Sequence, residues 1–84
     1  MEQPWKLSVL INSPNKVIWT GVATSISSKN SAGTFDILPG HANFITMVQN
    51  ESITIRSGEK ERVFKYENAV LSVYEGIVSI YVNV

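Results

Sequence analysis

Through most of the chain apolar and polar residues alternate with a period of two. Leu7, Val9 and Ile11, with Trp5 ahead of them, alternate with Lys6, Ser8 and Asn12. Successive strand residues point to opposite faces, so this spacing predicts a strand with one apolar face. Ser13-Pro14-Asn15 interrupts it, and Val17 and Trp19 resume the pattern up to Gly21. Beyond the glycine, Val22, Thr24 and Ile26 are expected on one face and Ala23, Ser25 and Ser27 on the other. Lys29 to Gly33 is polar and reads as a loop. Phe35 and Ile37 predict a short strand ended by Pro39-Gly40, and Ile45 and Met47 a strand that follows residues 41–43. Asn50-Glu51 predicts a further turn. Ile53 and Ile55, then Val63, Phe64 and Tyr66, read as a hairpin with its charged tip at Gly58-Glu59-Lys60. Ala69, Leu71 and Val73, then Val78, Ile80 and Val82, form the last pair, joined by Glu75-Gly76. No window carries a helical period. Eight or more short strands with regular punctuation predict an all-β, antiparallel sandwich or small barrel.

Composition narrows the reading. A chain of 84 residues is expected to form a single domain, residues 1–84. With 44% hydrophobic and 17% charged residues it fits a packed globular chain rather than a disordered one. Seven basic and seven acidic residues cancel and are spread without a block of one sign, so no footprint for nucleic acid or anionic lipid is present. No cysteine is available for a disulfide, a thiolate metal site or a thiol nucleophile. Neither a signal-peptide core nor an apolar run of about 18 residues is present, so an unexported chain without direct membrane insertion is expected.

The candidate chemistry is thin. His41 is the only histidine and so the only imidazole base for a hydrolytic triad, with Asp36 the nearest carboxylate before it; no Gly-x-Ser-x-Gly elbow accompanies it. One histidine and scattered carboxylates give no metal-ligand pair at a useful spacing. Asp36 and Glu51 could be paired as glycosidase acids, but so could any two acids. Gly33 and Gly40 lack the lysine and hydroxyl of a phosphate cradle. No cofactor is indicated. Trp5 and Trp19 share the apolar parity of their strands, which favours packing over a stacking platform. Lys60, Glu61 and Arg62 read as a solvated hairpin tip. Leu10, Ile18 and Val70 place apolar groups on the nominally polar face, either beneath a partner or at a rim buried on both sides.

Gly33 to Thr46, GTFDILPGHANFIT, resembles a motif of the F-type ATP synthase epsilon subunit, N-terminal β-sandwich domain, commonly written G-E-[FL]-G-[IV]-L-P-G-H-A-P-[FL]-[LI]-T. LSVLINSPNKVIWTGVATSIS (Leu7 to Ser27) is similar to the opening strands of that domain. ITIRSGEKERVFKY (Ile53 to Tyr66) and AVLSVYEGIVSIYV (Ala69 to Val82) match its later hairpins in order and spacing. The likeness covers nearly the whole chain, and L-P-G-H-A is its specific part. It implies an antiparallel sandwich of about ten short strands. It also implies a non-catalytic rotor subunit of the central stalk that links the gamma subunit to the ring of c subunits and couples ion translocation to ATP synthesis. Ser13, His41, Ala42 and Thr46 stand at positions matching the contact with gamma. Ser31, Ala32, Gly33 and Thr34 match the loop that meets the c-ring. The implied location is peripheral to the energy-transducing membrane, on the cytoplasmic face of a bacterial inner membrane.

The sequence departs from the family pattern in places. Thr34 and Asp36 stand where the motif has an acid and a glycine, Asn50-Glu51 replaces a Pro-Gly turn, and Glu67-Asn68-Ala69 replaces Ser-Gly-Gly. Lost glycines predict turns with altered dihedrals, since a β-carbon tolerates positive φ poorly. The C-terminal helical pair common in the family, which carries its inhibitory action, is not expected in a chain whose sequence stops at Val84. Two rivals come from other classes: a free-standing ligand-binding sandwich, which needs a concave pocket, and a small hydrolase, which needs a serine hydroxyl within reach of the His41 ring.

Overall fold

The structure is a computed structural model, and it describes residues 5–83. Seven strands follow one another: β1 Leu7–Asn12, β2 Val17–Ala23, β3 Ser25–Asn30, β4 Gly33–Ile37, β5 Phe44–Ser57, β6 Lys60–Tyr74 and β7 Ile77–Val82. They make a single hydrogen-bonded sheet in the order β2-β1-β7-β6-β5-β3-β4. All neighbouring pairs are antiparallel except β1 and β7, which run parallel.

This sheet becomes a sandwich by folding over along two bends. On β5 the core-facing residue is Val48 before Asn50 but Ile53 and Ile55 after it, so the buried parity reverses within the strand. Its partner β6 reverses at the same level, from half-buried Phe64 and Tyr66 to buried Ala69, Leu71 and Val73. The ladder keeps its register across the bend, with Gln49 opposite Asn68 and Glu51 opposite Tyr66. Asn50 accomplishes the reversal in the left-handed region at φ 55, which asparagine tolerates better than most residues. At the second bend, between β2 and β3, Thr24 donates its backbone N–H (2.7 Å) and its hydroxyl (3.1 Å) to the Arg56 carbonyl. One layer then holds β2, β1, β7, the second half of β6 and the first half of β5. The other holds the remaining halves with β3 and β4. Leu7, Ile11, Ile26, Ile37, Ile53, Leu71, Val78 and Ile80 fill the space between.

Several sequence expectations change here. The strands number seven among the described residues, not about ten, because Asn50-Glu51 bends a continuous strand instead of ending it. The sheet is mixed, not wholly antiparallel. Ala23 is buried and Val22 exposed, opposite to a single parity carried through Ile26, because Thr24 switches the chain between layers. The expected loss of positive φ does not occur at Asn50. The polar stretch from Lys29 belongs to β3 as far as Asn30, leaving a turn at Ser31-Ala32. Trp5 is 60% exposed, ahead of β1 and off the core, whereas Trp19 packs as expected against Phe64, with ring centres 6.0 Å apart.

The two outer faces differ. On the layer carrying β3 and β4, Ser27 donates to Asp36 (2.5 Å) and accepts from Arg56 (2.8 Å), and Arg56 also pairs with Glu61 (3.2 Å). That chain of polar contacts crosses four strands. On the opposite layer the outward residues of all five strands include no Asp, Glu, Lys or Arg.

Candidate functional site

Leu38-Pro39-Gly40-His41 closes a tight turn in which the His41 N–H donates to the Leu38 carbonyl at 3.0 Å. Proline second and glycine third, with Gly40 at φ 86, make this a type II turn. Only a residue without a β-carbon takes that third position at little cost, so the Pro-Gly pair determines where the next two residues point. The His41 ring is half-buried and packs edge-on against Phe44, centres 5.6 Å apart, and Phe44 packs likewise on Phe35. Its Nδ1 lies 2.7 Å from the Ala42 carbonyl. A carbonyl only accepts, so Nδ1 carries the proton in that contact. No serine hydroxyl is hydrogen-bonded to the ring among the described residues. Ala42 beside it is exposed, and Asn43 fastens the segment by accepting the Glu75 N–H at 2.9 Å.

Ser13 lies elsewhere. It closes the β1–β2 hairpin, its N–H donating to the Lys16 carbonyl at 2.9 Å. Because β1 runs parallel to β7 with Asn12 level with Tyr81, Ser13 sits by the end of β7, while His41 and Ala42 are tied to the turn that begins it. At roughly 3.3 Å per residue that strand separates them by about 20 Å. Thr46 is between these levels but faces the interior, half-buried, where its hydroxyl accepts from the Asn30 side-chain amide at 3.0 Å. The four expected gamma contacts therefore do not share one corner: His41 and Ala42 are together, Ser13 is at the far end, and Thr46 is linked to β3.

The Ser31–Thr34 segment is the β3–β4 turn. Ser31 and Ala32 are its exposed tip, Gly33 follows at φ 124, and Thr34 is the exposed second residue of β4. Asn30 organises it from below. Its side-chain oxygen accepts the Ala32 N–H at 2.9 Å while its amide reaches Thr46. One side chain thus ties the expected c-ring loop to an expected gamma contact, a link that strand periodicity does not encode.

One further concavity, of about 190 Å³, lies among Trp19, Val22, Ile55, Ser57, Lys60 and Arg62. It is smaller than the roughly 300 Å³ at which ligand sites usually begin. The Arg62 guanidinium already lies 5.6 Å from the Trp19 ring centre, so its principal aromatic surface is engaged within the protein. No cluster of three potential metal ligands occurs among the described residues.

A family model described as ATP synthase, Delta/Epsilon chain, beta-sandwich domain matches residues 6–84. The chain is 35% identical over 75 residues to an ATP synthase epsilon chain of Leptospira borgpetersenii, covering 89% of this chain and 59% of that one. An ATP synthase epsilon chain of Streptomyces avermitilis is 26% identical over 74 residues, with 88% and 55% covered. The chain thus spans a little over half the length of these relatives. Among solved structures, a chain in the cryo-EM structure of the Euglena gracilis mitochondrial ATP synthase, OSCP/F1/c-ring in rotational state 1, superposes with a TM-score of 0.86 at 15% identity, covering 98% of this chain and 53% of that one. A chain of the Tetrahymena thermophila mitochondrial ATP synthase central stalk/c-ring gives 0.77, also at 15%, covering 96% of this chain and 64% of that one. At such identities the likeness is one of fold.

Proposed function

The chain belongs to the ATP synthase delta/epsilon chain β-sandwich family, and from that membership we propose that it is a non-catalytic subunit of the central stalk of an F-type ATP synthase. In this reading the domain joins the gamma subunit to the c-ring, so that rotation of the ring turns the stalk as one body and ion flow is coupled to ATP synthesis. It is peripheral to the energy-transducing membrane, on the cytoplasmic face where the host is bacterial. Among the described residues no helix is long and apolar enough to cross a membrane.

The observation that carries the reading is the family match along residues 6–84, of which the turn at Leu38–His41 is the most shape-specific part. Its geometry suits docking better than chemistry. The imidazole is held by its neighbour's carbonyl and by Phe44, leaving a small exposed residue, Ala42, where another backbone can approach closely. The Ser31–Thr34 tip presents small, uncharged residues in the same way, toward the c-ring.

Calorimetric titration of the chain with a gamma subunit from the same source tests the reading. Micromolar or tighter binding is expected. Ala42→Arg, which places a long cation at the corner, is expected to abolish it while leaving the fold intact. A folded wild-type chain that shows no binding at high concentration would overturn the proposal.

A further inference from the structure

The backbone of β2, the outermost strand beside β1, offers hydrogen-bonding groups that the sheet does not take up. The Ser8 N–H donates to the Gly76 carbonyl at 3.0 Å, so Ser8 and the β1 residues of its parity turn their polar groups toward β7. Leu7, Val9 and Ile11 are left to bond β2, and their partners there are Ala23, Gly21 and Trp19. Thr20 and Val22 therefore direct an N–H and a carbonyl each to the open side. Among the described residues no backbone group meets them there. Proteins usually guard such an edge with charge, proline or a bulge. β4, outermost on the other side, is five residues long and carries Asp36. From Val17 to Ala23, β2 has no ionisable residue and no proline. Its register shift lies at the start, where Asn12 pairs with Val17 and Ile11 with Trp19, so the stretch from Trp19 to Ala23 stays regular.

Charge lies beside this edge instead of on it. The concavity of about 190 Å³ is walled by Trp19 and Val22 of β2 on one side and by Ser57, Lys60 and Arg62 of the β5–β6 hairpin on the other. The hairpin's ion pair joins Arg56 to Glu61, and neither Lys60 nor Arg62 has a carboxylate partner among the described residues. We propose that β2 accepts an additional strand from another protein, an extended acidic segment, whose backbone bonds Thr20 and Val22 and whose carboxylates meet Lys60 and Arg62. The proposal does not depend on the stalk reading. In an added strand alternate side chains share the parity of Trp19, Gly21 and Ala23 and point toward the layer that holds the two cations. Backbone bonds of this kind supply affinity for any extended chain, and the concavity beside them supplies the preference for acid. Charge also selects against a second copy, which would bring its own Lys60 and Arg62 against these.

Two capped hexapeptides, one of alternating valine and glutamate and the other of valine and lysine, test this by titration into the isotope-labelled chain with amide shifts as the readout. The acidic peptide is expected to shift the Thr20 and Val22 amides with a dissociation constant below about 1 mM, and to bind at least about tenfold more tightly than the basic one. That preference is expected to fade in high salt. Lys60→Gln combined with Arg62→Gln is expected to abolish it. Val22→Pro removes an outward donor without breaking a β1–β2 bond, and is expected to prevent binding of the acidic peptide. Circular dichroism establishes that each variant is folded. A folded wild-type chain that binds neither peptide, or binds both equally, would overturn the proposal. So would a folded Val22→Pro variant that binds the acidic peptide as wild type does, since the contact would then be one of charge without strand pairing. If the wild-type chain sediments as a dimer that Val22→Pro dissociates, the edge belongs to a second copy and the proposal falls as well.

Discussion

The indole of Trp19 lies across Gly21, so that a β-carbon built on the glycine would come within 2.7 Å of its six-membered ring. The ring has little freedom to withdraw, being packed on Phe64 and covered by the Arg62 guanidinium. Gly21→Ala is therefore expected to displace the indole and to destabilise the domain by about 1–2 kcal/mol. Urea unfolding checks this, as a lower midpoint at unchanged slope. A midpoint equal to that of wild type would show that the indole moves aside freely.

Asn50 is the residue through which β5 changes layers, at φ 55. Asn50→Gly keeps that angle accessible and is expected to leave stability within about 0.5 kcal/mol. Asn50→Val cannot take it without a clash between the branched side chain and its own backbone, and is expected to cost about 2 kcal/mol. Comparing the two variants by thermal unfolding isolates the dihedral from loss of the asparagine side chain. Equal stabilities would mean that the bend is not held by this angle.

Arg56 reaches Ser27 on one side and Glu61 on the other, and both contacts lie near solvent. Exposed ion pairs contribute little, so Glu61→Gln is expected to cost no more than about 0.5 kcal/mol, with the effect fading in high salt. Arg56→Met also removes the donor to Ser27 and is expected to cost about 1 kcal/mol. A large loss in Glu61→Gln would indicate that the pair is more sheltered than its exposure suggests.

Much of this was legible in the residues themselves. Leu7, Val9 and Ile11 announced the inner face of β1 by parity alone, and Pro39-Gly40 announced a turn whose left-handed glycine the structure bears out. Parity failed where the chain passes from one layer to the other, at Thr24 and Asn50. A bend that keeps the ladder intact but rotates the strand reverses inside and outside, and no local composition separates it from a turn that ends a strand. The family likeness brought L-P-G-H-A into the functional reading. It did not show that Ser13 and His41 lie at opposite ends of β7, which follows from β1 and β7 running parallel, a long-range pairing. The uncharged face was visible only in fragments. Leu10 and Val70 broke the alternation, but Ile45, Met47 and Tyr81 join them only once the register is known.

Asn30 uses both ends of its side chain, accepting from the Ala32 N–H of the β3–β4 turn and donating to Thr46 on β5. Thr46 is expected from the family likeness to touch gamma, yet it faces inward and braces the opposite loop, so its role is open to a direct test. Thr46→Val removes the acceptor while retaining nearly the same shape, and Asn30→Ala removes both contacts. Amide exchange at Ala32 is expected to quicken by about tenfold in Asn30→Ala and by less in Thr46→Val, since an exposed turn opens more readily as its side-chain support is lost. Affinity for the c-ring should fall in the same order, and affinity for gamma should stay as in wild type. If Thr46→Val instead weakens gamma binding and leaves Ala32 exchange unchanged, the hydroxyl acts at the gamma interface. Its bond to Asn30 would then orient it for that contact, and the loop would owe its shape to Asn30 and Gly33 alone.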